Sequence, residues 1–380
     1  MSILHPYFII VLILLLIGSF NEVYKGKVNK GLLWGIGAFL IILAGLRDSV
    51  GPDYGSYRGI YSFSFMFNYE DILKNGIPFY DAPALGLEWL YLLINKFFLD
   101  VFNAPFYVVT LFFAMLAIPL KLKFTLENTF YPFTFLALIF IPNFFIGESG
   151  QMRQNLSSLI VYFAIRYIKE DKLLHYLFFI YIAGGIHNVG YAFLPMYWLA
   201  RFPLNKFLMA SLIIASIIAS PFEIYRVLGG FLDGIAADNS IVMGFNGYMD
   251  ETSERAFGAF GMPEAIMLMF SFFLFYYDNK MKARFPYYEY HRNYIVIGIC
   301  LYFILRSNPI LGSRLAGAFV GLGYLLLPNA MSVVSETHKK TIHMFIVFLI
   351  FFNFVVFSSF NNIKAGRFTI DLYRNHILPD

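Results

Sequence analysis

Four arginines, Arg47, Arg153, Arg306 and Arg314, stand at the ends of long apolar runs. Three acids and a histidine, Glu148, Asp53, Glu88 and His187, stand at comparable places. An ionisable group near bilayer depth is costly, so a recurrent set of them marks a site. The guanidinium is a planar, permanently charged fork that matches phosphate oxygens. A lipid pyrophosphate carries its headgroup at that level. Tyr54, Tyr57, Trp89 and Tyr248 could offer flat ring faces to sugars, and Gln154 a side-chain amide. A carboxylate or imidazole nearby could take a proton from a hydroxyl. Together these types point to sugar transfer from a lipid-pyrophosphate donor. Each residue also has a plainer use. Arg47 and Arg306 could anchor helix ends by snorkelling, Gly51 could only serve a turn, His187 could satisfy a carbonyl, and Glu148 could favour the start of the next helix.

The elements that must hold these residues are membrane helices. AVILMFWYC residues make up 59% of the 380-residue chain and charged residues 14%, against roughly half and a quarter in soluble domains. That excess is too large for a soluble core. Apolar runs sit at about 5–20, 31–46, 104–120, 130–146, 152–168, 173–187, 188–200, 207–222, 262–277, 293–307, 314–332 and 342–360. The expectation is one all-α, polytopic membrane domain over 1–380, with about 12 transmembrane helices. Segment 85–100 (LGLEWLYLLINKFFLD) would be a re-entrant or interfacial helix. The first run lacks preceding positive charge and reads as a retained span.

Taking 22–30 as cytoplasmic, the turns 22–30, 121–127, 166–172, 201–206, 278–292 and 336–340 hold 16 of the 28 Lys and Arg residues, which fits the positive-inside rule. The polar candidates then gather on the outer side, with external loops near 47–83 and 229–261. The net charge of +4 is small and scattered, which argues against nucleic acid. The single cysteine, Cys300, rules out an internal disulfide and a thiolate metal cluster. No zinc, P-loop or Asp-x-Asp pattern appears, so neither metal nor cofactor is expected.

The string LRDSVGPDYGSYRGIY (46–61) resembles the R-x-x-x-G-x-D-Y-x-x-Y pattern of the EpsG branch of Wzy-type polysaccharide polymerases. GLEWLYLLINKFF (86–98), GQMRQNLSSLIVYFAIRYI (150–168) and IHNVGYAFLPMYWL (186–199) are similar, in order, to its Glu-bearing segment, Arg-Gln helix start and histidine-bearing span. The likeness runs from about 30 to 330. Tyr373-Arg374-Asn375 adds a suggestive echo, and Pro52 stands where the pattern often has Thr. The resemblance implies a GT-C-like fold in the bacterial cytoplasmic (inner) membrane, with its active site facing the periplasm or exterior. There, undecaprenyl-pyrophosphate-linked oligosaccharides would be both donor and acceptor, and repeat units would be joined en bloc. A Wzz-type chain-length regulator is a candidate partner. On this reading the four arginines grip pyrophosphate, and Glu148, Asp53, Glu88 or His187 supplies the base. Two rival readings are an O-antigen ligase, although loop 229–261 has no histidine, and a lipid-linked oligosaccharide flippase, although no internal repeat is visible.

Overall fold

A computed structural model describes residues 4–77, 85–223, 226, 260–308, 311–357, 368–370 and 372–378. Among these, all regular structure is helical, and two isolated bridges, Leu4 with Thr369 and Arg47 with Asn375, are the extended pairings. The helices are α1 (Pro6–Lys25), α2 (Lys30–Gly45), α3 (Tyr54–Phe63), α4 (Tyr69–Gly76), α5 (Trp89–Phe102), α6 (Phe106–Asn128) and α7 (Pro132–Glu148). They continue with α8 (Met152–Lys169), α9 (Leu173–Ile186), α10 (Met196–Leu199) and α11 (Lys206–Phe222). The set ends with α12 (Met262–Arg284), α13 (Tyr288–Leu305), α14 (Gly312–Val333) and α15 (Glu336–Val356). Four of them, α1, α6, α14 and α15, are long and apolar enough to cross a membrane, and α2, α7, α9 and α11 are shorter apolar helices.

Two expected features come out differently. The stretch 121–127 is not a turn, because α6 runs unbroken to Asn128. Lys121 can lie inside the helix because Glu148 pairs with it, which lowers the cost of a buried charge. The stretch 188–200 is not one continuous span. It is a 3-10 turn, Asn188–Phe193, followed by the four-residue α10. Gly190 and Pro195 explain the break. A Cβ on Gly190 would lie 2.5 Å from the Gly184 nitrogen, so the chain packs back on α9 instead of climbing away from it. The 85–100 segment becomes α5, 14 residues long. At 1.5 Å per residue it reaches about 20 Å, short of a ~30 Å hydrocarbon core. The segment 47–77 contains α3 and α4, and it exposes Phe63, Phe65, Met66, Leu73 and Ile77.

Packing divides into two main apolar clusters, with a small third at Leu305 and Leu311. The larger is built around α7, whose first turn is fixed by α1. The Glu22 carboxylate accepts the Phe133 and Thr134 amides at 3.0 and 2.6 Å, which satisfies donors that a helix start leaves open. Phe133 fills the notch of Gly18, where a Cβ would lie 2.1 Å from the ring. The smaller cluster joins α3, α5, α6, α8 and the end of α9 through Tyr54, Tyr57, Tyr91, Phe113, Met152, Leu156 and Ile186. The candidate site lies on this second cluster.

The end of α2 shows how the chain is tied there. The last carbonyls of a helix need partners. Here Ile42 O accepts from Asn375 Nδ2 at 3.0 Å, Leu43 O from the Tyr373 hydroxyl at 3.0 Å, Ala44 O from Arg47 and Gly45 O from Thr110 at 2.5 Å. The backbone of 368–378 adds Asp48 N to Arg374 O at 2.9 Å and His376 N to Leu46 O at 2.8 Å. Segment 368–378 is thus a strap across the start of the 47–53 loop.

Candidate functional site

Helix ends meet on the second cluster. Glu88 stands at the N-cap of α5, Arg153 in the first turn of α8 and His187 just past α9. Arg153 Nη1 and Glu88 Oε2 form an ion pair of 2.5 Å, with side-chain exposures of 16% and 9%. The other Glu88 oxygen accepts the Asn188 amide at 3.2 Å. The guanidinium carbon of Arg153 lies 5.2 Å from the Tyr57 ring centroid and 4.7 Å from that of Tyr91, which favours a cation electrostatically. Arg153 Nε is buried and meets no hydrogen-bond acceptor among the described residues. Gln154, the next residue, donates to the Arg314 carbonyl at 2.7 Å. This bond draws the start of α14 against the start of α8. Arg153, Arg314 and Glu88 all lie close enough to act electrostatically on His187. Two cations, a paired carboxylate and an imidazole thus surround a helix N-terminus, which itself attracts anions.

Asp53 precedes α3 and is half-buried. Its carboxylate makes no side-chain cap on that helix. It acts electrostatically on Tyr57, whose other face meets Arg153, and burial raises the Tyr57 hydroxyl above its ordinary value. The 47–53 loop owes its path to Gly51, at φ +100°, where a Cβ would sit 2.2 Å from the Ser149 carbonyl oxygen. A side chain there would both strain the backbone and push the loop off the α7–α8 junction.

Other expected site residues are engaged elsewhere. Arg47 is 1% exposed. It donates to the Ala44 carbonyl, to Val50 O at 3.1 Å and towards Met152 Sδ at 3.9 Å. Burial lowers its guanidinium to about 10, still charged at neutral pH. Its geometry is that of a helix-end cap holding the 47–53 loop. The Glu148 side chain pairs with Lys121, not with the arginines. Lys121 also donates to Asn143 at 2.5 Å. A cavity of about 30 Å³ beside the pair is otherwise lined by apolar side chains such as Leu15, Ile36 and Phe144. Arg306 pairs with Glu264 at 3.6 Å, and the same Glu264 oxygen accepts the Tyr302 hydroxyl at 2.6 Å.

The rings expected to face sugars are packed away. Tyr54 and Tyr57 are each 4% exposed. Trp89 stacks on Tyr181 at 5.0 Å, wedged against Gly76 and Gly185. Tyr248, with almost all of loop 229–261, lies outside the described residues. Tyr91, Asn188 and Lys121 were not expected. Tyr91 has a signal in retrospect: it lies one helical turn after Glu88, on the same face. Lys121 has one too, as an intramembrane lysine that requires a partner. Among the described residues no three His, Cys, Asp or Glu side chains converge to hold a metal ion.

A bundle with several long, apolar helices fits a multi-pass membrane protein. The EpsG family model matches residues 32–370, and the chain belongs to the EpsG family. Membership brings a function of the polysaccharide-polymerase type. No curated protein and no solved structure gives a significant match.

Proposed function

We propose that the protein is a glycosyltransferase that polymerises undecaprenyl-pyrophosphate-linked oligosaccharide repeat units en bloc on the external side of the bacterial cytoplasmic membrane. The observation that carries this reading is Arg153. It sits at the N-terminus of α8, between two tyrosine rings, with Arg314 tied alongside through Gln154. Such a pair suits the two phosphates of a polyprenyl pyrophosphate. The proposal includes about twelve bilayer crossings in a GT-C-like arrangement, with this cluster at the outer face.

In the step envisaged, the acceptor hydroxyl oxygen attacks the anomeric carbon of the donor. The carbon–oxygen bond to pyrophosphate breaks, and pyrophosphate leaves with the electron pair. Arg153 and Arg314 stabilise the charge that grows on it. The hydroxyl proton passes to Asp53, the candidate carboxylate that pairs with no cation among the described residues. Glu88 is held by Arg153 and Glu148 by Lys121, which weakens both as bases. Arg47 and Arg306 position the loop and α13 that flank the pocket.

The test is a reaction in detergent with a synthetic undecaprenyl-pyrophosphate-linked repeat unit and EDTA. A ladder spaced by one repeat unit is expected. Folded protein that gives no ladder with matched substrate overturns the reading. Transfer to a lipid A-core acceptor instead would make it a ligase.

A further inference from the structure

His187 opens the 3-10 turn that follows α9, and its ring caps that turn: Nδ1 accepts the Val189 amide hydrogen at 3.2 Å. A ring nitrogen that accepts an N–H carries no proton, so the neutral imidazole holds its proton on Nε2. The alternative tautomer would aim an N–H at the Val189 N–H and break the cap. The backbone around the ring is anchored as well. His187 N donates to Ala183 O at 3.0 Å, and His187 O accepts Gly190 N at 2.9 Å. Asn, Ser or Asp would cap such a turn at least as well as histidine. What imidazole adds is a second nitrogen on the far side of the ring. That nitrogen meets no hydrogen-bond partner among the described residues, and the ring lies in the field of Glu88, Arg153 and Arg314.

We infer that His187 is a neutral hydrogen-bond donor, offering Nε2–H to a phosphate oxygen of the ligand held by Arg153 and Arg314, and is not the base that deprotonates the acceptor. The inference rests on the function proposed above and assigns this residue's part in it. A base needs a free lone pair on Nε2. Supplying one would move the proton to Nδ1 and lose the Val189 cap. Burial is the main factor disfavouring an imidazolium; the Glu88 carboxylate opposes it, and Arg153 and Arg314 add to it. A neutral donor, by contrast, keeps one tautomer throughout turnover and strengthens as charge develops on the leaving oxygen.

The experiment combines two readouts on the full-length protein. In the first, 15N-histidine-labelled protein in lipid nanodiscs is observed by NMR, with the His187 signal assigned from its absence in His187→Asn. Nε2 protonated and Nδ1 unprotonated are expected across the neutral range. Added inorganic pyrophosphate and added undecaprenyl pyrophosphate are separate arms. A shift of the Nε2 signal with either supports the donor role, and a shift with the lipid alone identifies the lipid-linked form as the source. In the second, His187→Asn keeps a good cap but lacks the far donor and should lose about 10²-fold in polymer formation. His187→Gln, with an amide N–H at longer reach, should recover about tenfold of that loss and keep the wild-type acid limb of the pH profile. A proton on Nδ1, wild-type activity in His187→Asn, or loss of the acid limb in His187→Gln overturns the inference. If no enzyme form makes polymer yet the Nε2 signal shifts with pyrophosphate, the polymerase reading fails and the donor role stands.

Discussion

The molecule buries two cation–carboxylate pairs in different company. Lys121 and Glu148 meet beside an apolar cavity, with Asn143 as the one polar neighbour that bonds to the lysine. Arg153 and Glu88 meet among tyrosines, an amide that bonds the carboxylate, a second arginine and a histidine. In the first pair charge is balanced, the cavity walls are mostly apolar, and the Glu148 oxygens meet no hydrogen-bond donor besides the lysine charge among the described residues. In the second, the Asn188 amide also bonds the carboxylate, two tyrosine rings lie against the guanidinium, and its Nε meets no acceptor among the described residues. Burial of charge alone therefore does not distinguish a site in a membrane bundle. The company of the pair does: the tyrosine rings, amide and histidine around Arg153 and Glu88 offer polar and aromatic faces to a ligand, whereas the walls beside Lys121 and Glu148 are mostly apolar.

The comparison can be broken most sharply at Asp53. Asp53→Asn should lower polymer formation by about 10²–10⁴-fold, read as loss of the ladder at unchanged protein level. Glu148→Gln made together with Lys121→Met should retain activity within about tenfold, because a buried pair can be replaced by neutral groups at little cost. The reverse ranking would move the site to the Lys121 side. Arg153→Ala should lower activity by about 10²–10³-fold while the protein stays in the membrane. Normal long-chain polymer from that variant would remove its role. Lys121→Met alone should destabilise by about 3–5 kcal/mol, since it strands Glu148. Its midpoint in thermal unfolding should fall, and Glu148→Gln should restore it. The smallest effect is expected at the strap. Tyr373→Phe removes the hydrogen bond to Leu43 O and the one accepted from Asn375 Nδ2 and should cost about 1–2 kcal/mol, read by the same unfolding measurement.

Much of this contrast could be read from residue types, and some could not. Composition and apolar run lengths announced a helical membrane bundle, and the order of four short motifs announced the family. Of the charged candidates, Arg153, Glu88, His187 and Arg314 do come together. Partner choice was hidden. Nothing in the string says that Glu148 turns towards Lys121, because 121–127 looks like a basic turn and the helix that contains it shows its length only once Glu148 neutralises the lysine. Arg47 looked like a phosphate ligand because its type permits it. Arg47 caps Ala44 O from three residues away, whereas the Leu43 and Ile42 carbonyls take Tyr373 and Asn375 across more than 300 positions, which local pattern cannot carry. Trp89 and the tyrosines misled for a related reason: an aromatic face suits a sugar and a neighbouring helix equally, and Gly76 and Gly185 made the helix the occupant.

The strap has a consequence for the order of biosynthesis. Residues 42–48 leave the ribosome early, and residues 368–378, which complete their hydrogen bonds, leave after every described helix has been made. Until then the Leu43 carbonyl at the end of α2 lacks its Tyr373 donor, Ile42 O has the Leu46 amide alone, and the loop bearing Asp53 lacks one wall. Contacts of such sequence separation form late, since the intervening chain must be ordered first. The strap is therefore finished last, as a latch closing on a nearly complete bundle.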